Sequence, residues 1–164
     1  MNRRIIAFAS IAVLLPLAAI AQSPAPAPAA AAATPKVYIP GLEQFMNVTL
    51  IEHNKLWFAA KARNWDLAAY ELGEIKEVMG DVQDIVPVFK NLPLKDMLDG
   101  VITKEIVDLE KAIDAKNFKS FAAGYDKLNA ACNACHQGTE NGFVVIQRPS
   151  SPAFTNQDYR PHKK

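Results

Sequence analysis

Apolar residues recur every three or four positions through most of this chain, whereas the strict alternation typical of strands is almost absent. This spacing places apolar side chains along one face of an α-helix. Four stretches of the chain show it, and the links between them are mostly short. The sequence therefore predicts an all-α fold, and four amphipathic helices with short links indicate an antiparallel four-helix bundle.

The ends of the predicted helices carry ordinary helix signals. Asn64 and Asn117 are favourable N-caps for the second and fourth helices. Pro87 and Pro93 separate the second helix from the third, which is expected to run unbroken over about residues 94–115. The predicted apolar faces contain Leu42, Phe45, Met46, Thr49, Leu50, His53, Leu56, Trp57 and Ala60 in the first helix, Ala68, Leu72, Ile75, Met79 and Val82 in the second, Leu98, Val101, Ile102, Glu105, Leu109 and Ile113 in the third, and Phe118, Phe121, Tyr125, Leu128, Cys132 and Cys135 in the fourth.

The run Cys132-Asn133-Ala134-Cys135-His136 near the end of the fourth helix is the attachment signature of c-type haem. Its two thiols can add to the two haem vinyl groups, and the histidine beside them can serve as the proximal iron ligand. Asn133 and Ala134 are interpreted as spacers. One covalent haem c per chain is therefore expected, bound through Cys132 and Cys135 with His136 on the iron.

Two other interpretations of this cysteine pair fit the sequence less well. A disulfide or redox pair usually occurs in a βαβ setting, which the helical pattern does not offer. A zinc site needs four ligands, and these are the only two cysteines in the chain. Both cysteines fall on the apolar face of the fourth helix, so the haem is expected between helices, and Gly138 is expected to cap the helix end.

The N-terminus has the pattern of an export signal. Arg3 and Arg4 precede an apolar stretch at 5–17, and Ala19-Ile20-Ala21 is a typical cleavage site. The apolar stretch is short for a membrane-spanning helix, which needs about 20 residues. Residues 1–21 are therefore predicted to be a cleaved signal peptide, and the mature protein is predicted to be periplasmic without a stable membrane span.

The remaining chain divides into three parts by composition. Residues 22–36 are rich in alanine and proline and are predicted to be a linker, residues 37–142 the bundle, and residues 143–164 a C-terminal tail. Cleavage at residue 21 removes two arginines and no acidic residue, so the formal charge falls from +1 to −1. This near-neutral balance gives no support for nucleic acid or anionic lipid as a partner.

A haem motif on the last helix of a four-helix bundle resembles the cytochrome c′ class, which includes methionine-ligated low-spin relatives. The resemblance covers about residues 40–138, and residues 56–60 and 64–72 also look like a group of poorly characterised exported bacterial proteins. It implies that Cys132 and Cys135 carry the thioethers and that His136 is the proximal ligand. Relatives of this bundle class often dimerise, so a homodimer stays open.

Three arrangements compete for the sixth iron position. His53 lies on the apolar face of the first helix, and imidazole binds iron well; the alternative for such a residue is a buried histidine that is hydrogen-bonded to a neighbour. Met46 lies on the same face two turns earlier, where methionine is usually core packing. In the third arrangement the position is open and screened by Leu50. We favour His53 over Met46.

The tail carries two features of interest. The apolar run at 143–146 is expected to fold back over an exposed haem edge or to pair with a partner chain, and Arg148 is expected either to meet a haem propionate or to be exposed to solvent. The basic end beyond Pro149 is expected to dock on an acidic partner or to be disordered.

These features favour a protein without enzymatic activity. One-electron transfer with redox partner proteins ranks first, because a single covalent haem in a small exported domain suits it. Binding of nitric oxide or carbon monoxide at an open or weakly ligated iron ranks second. A weak peroxidase-like activity, with His53 as the acid–base group, ranks a distant third.

Overall fold

The computed structural model describes residues 38–162, and the predicted signal peptide and linker lie outside these residues. The helices are α1 (Leu42–Lys61), α2 (Trp65–Ile85), α3 (Leu94–Val101), α4 (Thr103–Asp114) and α5 (Phe118–Gly138). No strand occurs between residues 38 and 162. The predicted all-α class is therefore confirmed.

The predicted third helix is broken into α3 and α4. Only Ile102 separates them, with φ −107° and ψ −37°. Gly100 and the neighbouring β-branched residues have weak helix propensity, which explains why the helix is interrupted at this point. The Ile102 carbonyl still accepts a hydrogen bond from the backbone N–H of Ile106, so α3 and α4 together form one interrupted helix. Counted in this way, the described residues contain four helices.

Two helix-to-helix turns have the same construction. The Asn64 side chain accepts a hydrogen bond from the backbone N–H of Leu67, and that of Asn117 accepts one from Ser120, so both predicted N-caps are confirmed. The residue before each asparagine is left-handed, with φ 64° at Arg63 and 51° at Lys116. Glycine is the usual residue here, and a side chain costs on the order of 1 kcal/mol.

The core follows the predicted faces closely in α2 and less closely in α1. All five residues of the predicted α2 face are buried, as are Phe121, Tyr125 and Leu128 of α5. In α1, however, Glu52 is buried and Leu50 is 52% exposed. The buried face of α1 is therefore rotated away from Leu50 and toward Glu52, which belongs to a polar cluster between α1 and α2.

That polar cluster lies between α1 and α2. Lys55 Nζ is 2.8 Å from Glu52 Oε2 and 3.5 Å from Glu71 Oε2, and Glu71 is only 1% exposed. Burial and the nearby Glu52 carboxylate raise the pKa of Glu71 to about 8. A buried carboxyl group next to a second one keeps its proton at neutral pH.

The tail folds back along the helices over most of its length. Asn54 of α1 donates to the Ser151 carbonyl and accepts from the Ala153 N–H. Further on, the Tyr159 ring packs 5.8 Å from the Phe58 ring, and the Arg160 carbonyl accepts from Asn64. The described tail residues are therefore ordered against the bundle. No helix within residues 38–162 is both long and apolar enough to cross a membrane.

Candidate haem site

The motif occupies the last turns of α5, so one helix positions both cysteines and the histidine. Cys135 is buried, while Cys132 and His136 are partly exposed. Both cysteines are free thiols. Burial, with a contribution from Cys135, raises the pKa of Cys132 to about 12. A redox-active cysteine needs a lowered pKa, so this environment does not favour the redox-pair alternative.

His136 is held by the tail through one ring nitrogen. Its Nδ1 lies 2.8 Å from the backbone carbonyl oxygen of Val144. Because a carbonyl oxygen only accepts, Nδ1 must carry the proton and donate. The lone pair is then on Nε2, to which no described residue makes a hydrogen bond. Metal-binding histidines have this arrangement, in which a second hydrogen bond fixes the tautomer and the ring orientation.

Asn133 does more than separate the two cysteines. Its Nδ2 donates to the Ile146 carbonyl at 2.9 Å, and its Oδ1 accepts from the Ile146 N–H at 2.7 Å. Both backbone groups of one tail residue are therefore held by one side chain inside the motif. The interpretation of Asn133 as a spacer did not include this contact, in which its partly buried amide meets the returning backbone.

The helix end differs from the prediction as well. Gly138 belongs to α5, Thr139 is the C-cap and the left-handed residue is Glu140, with φ 62°. Thr139 is buried. Its hydroxyl oxygen lies 3.0 Å from the Cys135 carbonyl oxygen and 3.2 Å from the His136 carbonyl oxygen, and it can donate its hydrogen to either. The threonine hydroxyl satisfies the carbonyls at the helix end, so the chain does not need glycine at the cap.

The apolar run at 143–146 lies beside the motif, as the two contacts to Val144 and Ile146 show. Its side chains are largely exposed to solvent, at 82% for Phe143 and 69% for Val145. Arg148 pairs with Asp126 at 2.6 Å and lies 4.8 Å over the Trp57 ring. In this structure its partner is therefore a carboxylate of α5.

His53 is buried and uses both ring nitrogens. Its Nε2 lies 2.6 Å from Asn129 Oδ1, and its Nδ1 lies 2.9 Å from the Tyr125 hydroxyl. The two rings stack at 4.4 Å. Burial lowers the pKa of His53, which the bond to Asn129 partly offsets. With Asn129 Oδ1 as acceptor, Nε2 carries the proton. The Tyr125 hydroxyl also lies 2.8 Å from the His53 backbone carbonyl oxygen, so its single hydrogen is shared between that oxygen and the unprotonated Nδ1.

The other candidates for the sixth position are less enclosed. Met46 is partly buried against the core, and Leu50 lies on the wall of a cavity of about 340 Å³ between α1 and the tail, with Val145 and Ile146 opposite. A Cβ built on Gly138 would be 3.1 Å from the Met97 methyl. Met97 therefore lies at the motif end of α5, which the helix pattern alone did not indicate.

Comparisons with known proteins give no match: no protein-family model, no curated protein and no solved structure is similar to this chain. Between residues 38 and 162 no group of three or more histidine, cysteine or acidic side chains is placed to hold a metal ion. The motif on α5, together with the tail that holds His136, is therefore the candidate site.

Proposed function

We propose that this chain is an exported mono-haem c-type cytochrome that acts in one-electron transfer. Cys132 and Cys135 would carry the thioethers, and His136 would bind the iron through Nε2. The observation that carries the proposal is the hydrogen bond from His136 Nδ1 to the Val144 carbonyl. It selects the tautomer that a proximal ligand needs and holds the ring at the end of α5. Haem would supply the one-electron chemistry when bound.

We propose further that the helices pack antiparallel. In support, Trp57 contacts Phe118 and Tyr125, whereas His53, one turn earlier in α1, contacts Tyr125 and Asn129, further along α5. Residues earlier in α1 thus contact residues later in α5, as expected for two antiparallel helices. Continuing by two turns, Met46 would be level with His136.

The sixth iron position separates electron transfer from the alternative function. His53, the predicted ligand, could reach iron only after its ring had left Asn129 and Tyr125. Each of these hydrogen bonds is worth on the order of 1 kcal/mol, which an iron–imidazole bond can offset. Met46 makes no comparable hydrogen bond and would be the alternative ligand.

The engagement of both His53 nitrogens favours a second candidate function. If neither His53 nor Met46 reaches the iron, the sixth position is open, and the protein would bind nitric oxide or carbon monoxide. In that case the buried His53 would order Tyr125 and Asn129 between α1 and α5, and Leu50 would lie beside the open position.

The test is an absorption spectrum of the protein matured with haem-attachment machinery, recorded for the parent, His53→Ala and Met46→Ala in the reduced form. We expect a low-spin parent that does not respond to carbon monoxide. One of the two variants should become high-spin and bind carbon monoxide, and the other serves as its matched control. A parent that already binds carbon monoxide would reject electron transfer through a filled site and support gas binding.

A further inference from the structure

The two matched turns between helices form one wall of a basic cleft. Arg63 follows α1 and Lys116 follows α4, and both line an open cleft of about 860 Å³. Lys119 in the first turn of α5 and Arg148 of the tail complete its cationic lining. We name this surface, defined by Arg63, Lys116, Lys119 and Arg148, the turn cleft. Only one carboxylate lines it, that of Asp126, and Arg148 pairs with it.

Three cations of the turn cleft have no carboxylate partner among the described residues. Most lysines and arginines of residues 38–162 lie within 4.0 Å of a carboxylate: Lys55, Lys76, Lys90, Lys95, Lys104, Lys111, Arg148 and Arg160. Arg63, Lys116 and Lys119 form no such pair and are exposed. Five cations among residues 38–162 form no such pair, and three of them line the turn cleft; the other two, Lys61 and Lys127, do not.

The cleft also orders one of these cations. The Arg63 guanidinium lies 4.1 Å over the Phe118 ring. Stacking on the ring face leaves the N–H groups at the guanidinium edge free, and that edge fits a carboxylate in a bidentate fashion. Arg63 and Lys116 also occupy left-handed positions where glycine would be usual. Both side chains line the cleft.

We propose that the turn cleft is a docking surface for an acidic segment of a partner protein, a segment with several clustered carboxylates. Charge complementarity argues for this occupant, since three unpaired cations, one of them a guanidinium with a free edge, match carboxylates. Nucleic acid is a poorer fit, because the aromatic face of Phe118 is already covered by Arg63 and is not available for base stacking.

The cleft lies at the far end of α5 from the motif. Phe118 begins α5, and Cys132 to His136 end it, so roughly 20 Å of helix separates them at 1.5 Å per residue. The lining extends along α5 as far as Asp126, about 9 Å of helix before Cys132. The proposal goes beyond the proposed function, because the cations of the cleft are in place whether or not haem is bound.

The experiment measures binding of a fluorescein-labelled decaglutamate peptide to the full chain by fluorescence polarisation at low ionic strength. The charge-reversal variant Lys116→Glu/Lys119→Glu is compared with Lys104→Glu/Lys111→Glu, which makes the same charge change on α4. We expect the first to weaken binding by about tenfold or more and the second by less than about twofold, as for local charge complementarity. Arg63→Gln, which leaves the turn asparagine in place, should weaken binding severalfold.

Helical circular dichroism of each variant shows whether it is folded, and Arg63→Gln keeps the test valid if charge reversal unfolds the chain. Equal weakening by the α4 control would show non-specific attraction and would overturn the proposal. So would absence of peptide binding by the parent, or tighter binding of a ten-nucleotide single strand than of the peptide. The binding measurement is made on chain produced with and without haem-attachment machinery, so these outcomes are independent of whether the cytochrome proposal holds.

Discussion

The buried carboxyl group of Glu71 should make stability fall as the pH rises. Its pKa of about 8 in the folded chain lies above the ordinary value of 4.5, so between these pH values the folded chain keeps a proton that the unfolded chain has lost. Folding stability is then fully present below pH 4.5 and declines until about pH 8. The groups facing Glu71 are Glu52 and Lys55 from α1 and Tyr159 from the tail.

The perturbation is Glu71→Gln, which keeps the shape of the protonated carboxyl group and cannot ionise. One pKa unit corresponds to about 1.4 kcal/mol, so the shift sets a ceiling of about 5 kcal/mol. Sharing of the proton with Glu52 reduces this, and we expect roughly 2–4 kcal/mol. The lowered pKa of Glu52 acts below pH 4.5 and does not enter this range. The lowered pKa of His53 raises stability with pH up to about 6.5, but it is common to both chains.

Urea unfolding followed by tryptophan fluorescence at several pH values between 5 and 8.5 measures the difference. The variant should match the parent near pH 5 and be more stable near pH 8.5, with equal m-values. Glu77→Gln, which removes an exposed carboxylate from the same helix, is the control and should give a curve parallel to the parent. Parallel curves for Glu71→Gln as well would refute the reasoning.

Two further predictions concern packing and the tail. A Cβ on Gly124 would be 3.1 Å from Leu109 Cδ2, whereas Gly73 has open space. Gly124→Ala should therefore lower the free energy of unfolding by about 1–3 kcal/mol, and Gly73→Ala should raise it by about 0.5–1 kcal/mol; equal effects would contradict the packing. Asn133→Ala removes both bonds to Ile146, so amide exchange at Ile146 should accelerate at least about tenfold. Unchanged exchange would mean that the tail is held elsewhere.

The helices of this fold follow from apolar spacing, because burial of a stripe is a property of each helix by itself. The α2 stripe was predictable for that reason. The asparagine caps were predictable because each cap is a local contact with a backbone N–H three residues further along the chain. The α1 face was predicted less well, since the buried position of Glu52 depends on Glu71 of another helix. The break at Ile102 depends on a competition between helix propensity and packing, which periodicity alone does not resolve.

The position of the candidate site was predictable from the sequence, and its surroundings only partly. The five-residue motif has a fixed spacing and can be recognised from the sequence alone. The bonds from Asn133 and His136 to the tail join residues 13 and 8 positions apart, respectively, through irregular backbone, and no periodic pattern encodes such contacts. A buried, hydrogen-bonded His53 was the stated alternative to an iron ligand, but its partner Asn129 lies on another helix and could not be named from α1.

Covalent haem attachment is the central claim, and the intact mass together with the alkaline pyridine spectrum of the protein tests it most directly. The protein should be produced with haem-attachment machinery, alongside a Cys132→Ser/Cys135→Ser variant. We expect the parent to gain the mass of one haem, to remain coloured after acid–acetone extraction and to show the c-type reduced spectrum, and the variant to show none of these. A parent of unmodified mass whose colour is fully extracted would contradict the account.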